Sequence, residues 1–154
     1  MQEKNTKAHP LSGDRAIEWS WVTRHLPAQP SLVLDLGCVG SSLTGIASRL
    51  GHQVTAVDLN DIEYEMPRVT FRKGDIYELY FDGKFDVIIN CSLIEHVGLE
   101  NRYGSVKRND GDLLIMAKLS RLLTSSGKMI LTIPVGLDTT FAPFHRIYGT
   151  ERLP

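Results

Sequence analysis

The chain has 154 residues, 42% of them hydrophobic and 23% charged, and its 17 Lys and Arg nearly balance 18 Asp and Glu. The apolar share is enough for an ordinary core in one domain and argues against a wholly disordered chain. A formal net charge of −1 argues against a nucleic-acid or general polyanion binder, which needs a basic excess. No apolar run approaches the roughly 20 residues of a membrane-spanning helix. The opening MQEKNTKAHP is polar and lacks the apolar stretch of a secretory signal. Cys38 and Cys91 belong to no CxxC or Cys/His cluster, so a zinc site has no support. They read as reduced thiols of a cytoplasmic protein.

Residues 1–11 read as a flexible tail, and 12–154 as a single domain. The segment DRAIEWSWVTRHL, Asp14 to Leu26, reads as a helix with Ser12 or Asp14 as N-cap and Pro27 as its stop. LVLDL is a short continuous apolar run, consistent with a buried parallel strand. In SSLTGIASRLG, Leu43, Ile46, Ala47 and Leu50 fall on one helical face, and Gly51 can close the helix in a left-handed cap. QVTAVDL reads as a second strand, VTFRK as a third and KFDVIINCS as a fourth. Asp110 or Asp112 can cap a long helix through DLLIMAKLSRLLTSS, ended by Gly127. KMILTIPV reads as a fifth strand. Strands separated by helices imply an α/β fold, a parallel sheet with helices on both faces. Two connections fit poorly. The links from strand two to three and from three to four are shorter than the dozen residues that parallel neighbours usually need.

The stretch VLDLGCVGSSL carries the most chemistry. A buried strand ends at Asp35-Leu36-Gly37, turns through Cys38 to Gly40 and enters a helix at Ser41. Gly37 removes a Cβ where the backbone turns sharply, and small residues let a ligand approach the main chain. Unpaired N–H groups at a helix start can hold a phosphate or carboxylate. Any tight strand–helix turn shares these features, and the pattern is neither GxGxxG nor a Walker loop. Asp58, 21 residues after Gly37, ends the second strand. An acid there can accept hydrogen bonds from ribose hydroxyls. Asp75 ends the third strand. Ligands of open α/β sheets bind at these carboxyl edges, so three acids at three successive strand ends form a coherent candidate site.

Asp35-Leu36-Gly37-Cys38, then Asp58, Gly74-Asp75-Ile76, FDVIINCSLIEHV and LLTSSGKMILTIP resemble class I S-adenosylmethionine-dependent methyltransferases. The resemblance runs from about Leu32 to the end. EHVGLENRYG and FHRIYGTERL resemble a bacterial small-molecule subgroup. The resemblance implies a three-layer Rossmann-like sheet of about five strands in order 3-2-1-4-5, S-adenosyl-L-methionine as cofactor and a small-molecule methyl acceptor. It places Asp35 by the cofactor's amino-acid end and the Gly37–Ser41 backbone, with Cys38 and Gly40, along the methionine moiety. Asp58 holds the ribose, Leu59 lies beside adenine, and Asp75 and the Ile76 backbone meet the adenine edge. Cys91 and Ser92 line the sulfonium side. Val39 and Ser41 stand where the family carries its second and third glycines, which leaves Gly40 to supply a left-handed backbone. The family's last two strands are missing, so the chain reads as C-terminally truncated. Strand five, with Ile130, Leu131, Ile133 and Val135, becomes an exposed edge open to self-association or a partner.

His96, just after strand four, is the candidate general base, since imidazole titrates near neutrality. A structural histidine is the competing reading, and Glu95 reads as a scaffold residue. Trp19 and Trp21 either line an acceptor site or pack on the sheet. Tyr103, in the loop 98–109, can belong to a lid. Arg102, Lys107 and Arg108 read as solvated loop charges. His145 and Tyr148 receive no role. Two other functions compete with methyl transfer. One is a methyltransferase-like domain that binds without turnover. The other is an NAD-dependent oxidoreductase, which Asp58 fits but the missing GxGxxG does not.

Overall fold

The computed structural model describes residues 14–63, 65–100 and 106–153. The expected tail 1–11, the alternative cap Ser12, and Arg102 and Tyr103 of the expected lid lie outside the described residues. Among the described residues, five parallel strands form a sheet in the order β3-β2-β1-β4-β5. They are β1 Leu32–Leu36, β2 Gln53–Asp58, β3 Val69–Lys73, β4 Phe85–Cys91 and β5 Leu123–Thr132. Helices α1 Arg15–His25 and α2 Leu43–Arg49 cover one face, and α3 Gly111–Leu122 the other.

The alternation of side chains along each strand explains the two cores. Val33, Val54, Ala56, Val87 and Ile89 point to one face and pack with Val22 of α1 and Leu43 and Ala47 of α2. Leu34, Leu36, Val57 and Ile88 point to the other and pack with Ile115 and Leu119 of α3. The central strands are buried on both faces, so they read in the sequence as continuous apolar runs. Of the expected α2 stripe, Leu43 and Ala47 enter the core, while Leu50 is half exposed at the C-cap. Gly51 takes φ +97°, as a left-handed cap requires.

The two short connections are real. Among the described residues, the link from β2 to β3 contains no helix. The β3–β4 link makes a compact turn in which Asp75 O accepts the N–H groups of Glu78 and Leu79. The Lys118 ammonium on α3 fastens this turn by donating to the carbonyls of Ile76, Tyr77 and Leu79 at 2.7–2.9 Å. A lysine from α3 thus does the work that a crossover helix would do.

The expected long helix ends early. α3 stops at Leu122, and Leu123 is already extended at φ −76°, ψ 144°. Thr124, Ser125 and Ser126 favour local side-chain bonding over helix interior positions. The chain runs instead along Phe85, and the register slips between Phe85 and Val87. Gly127 is therefore not a helix cap. A Cβ there would lie 2.9 Å from Phe85 O, so the slip itself needs a glycine.

The main sheet ends at β5, as expected. Beyond it, β6 Thr139–Phe141 and β7 His145–Ile147 pair antiparallel as a separate two-stranded sheet. Tyr148 bridges back, its N–H donating to Pro134 O and its carbonyl accepting from Gly136 N–H. Of the expected edge residues, Ile130 is buried and Val135 is 72% exposed.

Asp112, fully buried in the first turn of α3, holds the hairpin in place. It takes a two-pronged bond from Arg152 at 2.7 and 3.0 Å, and the Tyr148 hydroxyl donates to it at 3.1 Å. The buried Arg146 guanidinium lies 3.7 Å from the same carboxylate and donates to Val97 O. Burial raises the Asp112 pKa, but these bonds and charges outweigh it and hold the carboxyl below its usual range. Removing one partner of such a cluster leaves buried charge uncompensated. Asp112→Ala is expected to cost about 3–5 kcal/mol in urea unfolding at pH 7. The parent's added stability from this group is present above pH 4 and lost as pH falls further.

Candidate functional site

Three parallel pairings align the C-terminal tips of β3, β2, β1 and β4 along one edge. A cavity of about 290 Å³ opens there. Asp35, Asp58 and Asp75 all line it, as do Gly37, Gly40, Ser41, Leu59, Ile76, Cys91, Ser92 and His96. Cys38 is the exception among the predicted positions. Its side chain points away into the α1–α2 core and is fully buried.

The loop after β1 folds back onto β2. The N–H groups of Gly37 and Cys38 donate to Val57 O at 2.9 and 3.4 Å, and the Val39 N–H donates to Asp58 Oδ2 at 2.9 Å. Gly37 at φ +70° and Gly40 at φ +81° make the two left-handed turns, while Val39 has no positive φ. A Cβ on Gly40 would meet nothing within 4 Å, so no packing forces glycine there beyond its positive φ. The valine in a glycine position is thus accommodated without strain.

The acids differ in their surroundings. Asp58 Oδ1 accepts from the Asn60 backbone at 2.8 Å and, at a longer 3.3 Å, from its side-chain amide. Asp75 Oδ1 accepts the Tyr77 N–H at 3.0 Å. Asp35 is 1% exposed and accepts the Thr44 hydroxyl at 2.5 Å. Burial is the largest influence and pushes its pKa up to about 7, with the charge of Asp58 adding to the rise against the Thr44 bond.

At the β4 end, Ser92 takes φ +49°, and its N–H donates to Thr132 O and Oγ1 at 3.1 and 3.0 Å. Its hydroxyl donates to Glu18 of α1 at 2.6 Å. Burial pushes the Cys91 thiol up to about 11, so it is protonated and not nucleophilic at neutral pH. His96 closes a 3₁₀ turn, Ile94–His96. Its Nδ1 lies 2.6 Å from Phe144 O, and since a carbonyl only accepts, Nδ1 carries the proton. Nε2, 3.8 Å from Glu95 Oε1, is then the basic nitrogen.

Several lining residues had no sequence signal. Arg15 and Glu18 arrive from α1, and Tyr77 and Asn60 from the loops beside Asp75 and Asp58. Trp19 does line the cavity, whereas Trp21 is 43% exposed and packs on His25 with ring centroids 4.2 Å apart. Arg108 is not simply solvated; it lies over the Tyr77 ring at 4.5 Å and 3.6 Å from Glu78. Tyr148 is structural, and His145 packs on Phe141.

This sheet order, with a glycine-turned loop and acids at its carboxyl edge, is the Rossmann-like fold of S-adenosylmethionine-dependent methyltransferases. A Burkholderia thailandensis 1,6-didemethyltoxoflavin-N1-methyltransferase, solved with its substrate and S-adenosylhomocysteine, superposes with a TM-score of 0.57 at 24% identity, over 76% of this chain and 50% of its own. A coclaurine N-methyltransferase superposes with a TM-score of 0.59 at 20% identity, over 84% of this chain and 38% of its own. Among curated sequences, a ubiquinone biosynthesis O-methyltransferase of Xanthomonas oryzae pv. oryzae is 29% identical over 80% of this chain and 51% of its own length. One from Albidiferax ferrireducens is 29% identical over 57% and 40%. The chain thus spans about half the length of the curated relatives it matches. It belongs to the family described as Caenorhabditis protein of unknown function, DUF268, whose pattern matches residues 55–154.

The Asp35 environment has a direct consequence. An unfolded Asp ionises near pH 4, whereas the folded one holds its proton until about pH 7. Its ionisation therefore costs the folded state stability as pH rises from 4 to 7, and the cost is complete above 7. Asp35→Asn, which keeps an acceptor for Thr44, is expected to match the parent at pH 4. At pH 8 it should be more stable by on the order of 3 kcal/mol in urea unfolding.

Proposed function

We propose that the chain forms the cofactor-binding part of a methyltransferase that takes S-adenosyl-L-methionine and transfers its methyl to a small-molecule acceptor. One observation carries this reading: Asp35 of β1, Asp58 at the end of β2 and Asp75, two residues past the end of β3 in the turn that follows rather than on the strand itself, line a single cavity with a glycine turn. The donor set fits the group. Asp58 Oδ2 keeps a lone-pair position for a ribose hydroxyl, and the long Asn60 amide contact at Oδ1 is one a second hydroxyl can displace. Asp75 and the Ile76 backbone would meet the adenine edge beside Leu59. The main chain from Gly37 to Ser41 would follow the methionine part, with Asp35 beneath it, and Cys91 and Ser92 the sulfonium side. Cys38 would contribute only backbone.

When bound, the cofactor supplies an activated methyl on a sulfonium. The chain's contribution is positioning and proton handling. Aligning acceptor and methyl can account for about 7–11 kcal/mol of barrier. His96 would take the acceptor's proton at Nε2, its Nδ1–H held by Phe144 O. Glu95 Oε1, 3.8 Å from Nε2, favours the resulting imidazolium. Protonated Asp35 loses its proton more readily beside a cation, so cofactor affinity should rise between pH 6 and 8.

No helix of the described residues is long and apolar enough to cross a membrane. A cytoplasmic setting and self-association through the β5 edge belong to the same proposal, the latter because among the described residues β5 pairs only with β4 in the main sheet.

Calorimetry tests the reading. The chain should bind S-adenosylmethionine and S-adenosylhomocysteine but not NAD, and Asp58→Ala should weaken both by about 1.5–3 kcal/mol. Binding of NAD alone would overturn it in favour of an oxidoreductase. Methyl transfer in an acceptor screen, abolished by His96→Ala with cofactor binding retained, separates turnover from mere binding.

A further inference from the structure

The cavity receives a fourth acid, Glu18, from helix α1 rather than from the carboxyl edge of the sheet. Glu18 sits in the first turn of α1, one turn before Val22, whose burial in the α1–α2 core docks the helix. Docking brings Glu18 to the tip of β4, 74 positions away in sequence, where the Ser92 hydroxyl donates to its Oε1 at 2.6 Å. Ser92 is itself immobilised. Its left-handed backbone is held by two bonds from its N–H to Thr132. The Glu18 carboxylate is therefore fixed at one place in the cavity wall.

Its charge is also available. Glu18 makes no ion pair among the described residues. Asp58 and Asp75 each use carboxylate oxygens to hold their own loops, and Asp35 is buried beneath the cavity. Among the charges that reach the neighbouring Cys91 thiol and help raise it, that of Glu18 is the largest, after the effects of burial and the Thr132 bond. The negative field at the β4 tip thus comes in good part from α1.

We infer that Glu18, pinned by the Ser92 hydroxyl, is a charge-selecting residue that makes the cavity prefer a cationic sulfonium ligand over its neutral thioether counterpart. This rests on the adenosyl-sulfonium reading above. Methyl transfer breaks the S–CH3 bond, leaves the electron pair on sulfur and removes the positive charge, while the methyl bonds to the acceptor's nucleophilic atom. A carboxylate fixed on the sulfonium side attracts the ligand before transfer and no longer attracts it afterwards. It therefore favours exchange of spent product for fresh cofactor.

The test is calorimetry on the full chain at pH 8, with S-adenosylmethionine and S-adenosylhomocysteine as the two probes. Glu18→Gln keeps an oxygen for the Ser92 bond and removes only the charge. The Kd for S-adenosylmethionine should rise roughly five- to tenfold, while that for S-adenosylhomocysteine changes by less than about twofold. Ser92→Ala leaves the charge but frees the carboxylate, and should lower the preference by a smaller factor. If the parent binds both ligands and both variants shift the two affinities equally, the inference alone falls. If the parent binds neither, it falls together with the adenosyl reading.

Discussion

The bond from the Val39 N–H to the Asp58 carboxylate organises the carboxyl edge of the sheet. It ties the loop after β1 to the tip of β2 at 2.9 Å, next to the Gly37 and Cys38 bonds to Val57 O. A loop so fixed cannot fall into the space in front of the strands. The space in front of the strands is therefore kept clear, with the Asp35 carboxyl buried beneath it. Lys118 does the equivalent work on the other side, gripping three carbonyls of the turn that carries Asp75 and Ile76. Both devices use a charged group to hold main chain, which suits a fold in which the links from β2 to β3 and from β3 to β4 are too short for stabilising helices.

The cavity that results is acidic and poorly solvated at its base. A buried carboxyl with its pKa near 7 is held at a cost when ionised, and that cost falls when a cation arrives. A site of this kind is matched to a positively charged ligand. The far end of the chain contributes as well. Asp112 gathers Arg146, Arg152 and Tyr148, and the hairpin they anchor carries Phe144, whose carbonyl orients His96. A cluster at the start of α3 thus reaches the site through the hairpin rather than by touching it.

Much of this was legible in the sequence for a physical reason. Strands buried on both faces are continuous apolar runs, and LVLDL and FDVIINC stand out as such, whereas the edge strand VTFRK shows itself only by Val69 and Phe71 on one face. Acids at or just past their ends mark the carboxyl edge, where Asp58 and Asp75 hold the adjoining loops and Asp35 lies buried beneath the cavity. The end of α3 was not legible. Apolar periodicity carried through Leu122 and Leu123, and only pairing against Phe85 shows that Leu123 has left the helix. Nor could periodicity assign Glu18, since the face of α1 that meets the site depends on how Val22 docks. Cys38 shows the opposite failure. Its place in the motif suggested the cavity, but the left-handed turn at Gly37 breaks the strand alternation and its side chain enters the α1–α2 core.

The central claim is that the tips of adjacent strands form one adenosyl site. Amide chemical-shift mapping during titration with S-adenosylhomocysteine tests it most directly. The account predicts saturable shifts at Gly37, Gly40, Asp58, Asp75 and Ile76 that follow one binding curve. Shifts confined to other surfaces, or separate curves for the β1 loop and the β3–β4 turn, would contradict it.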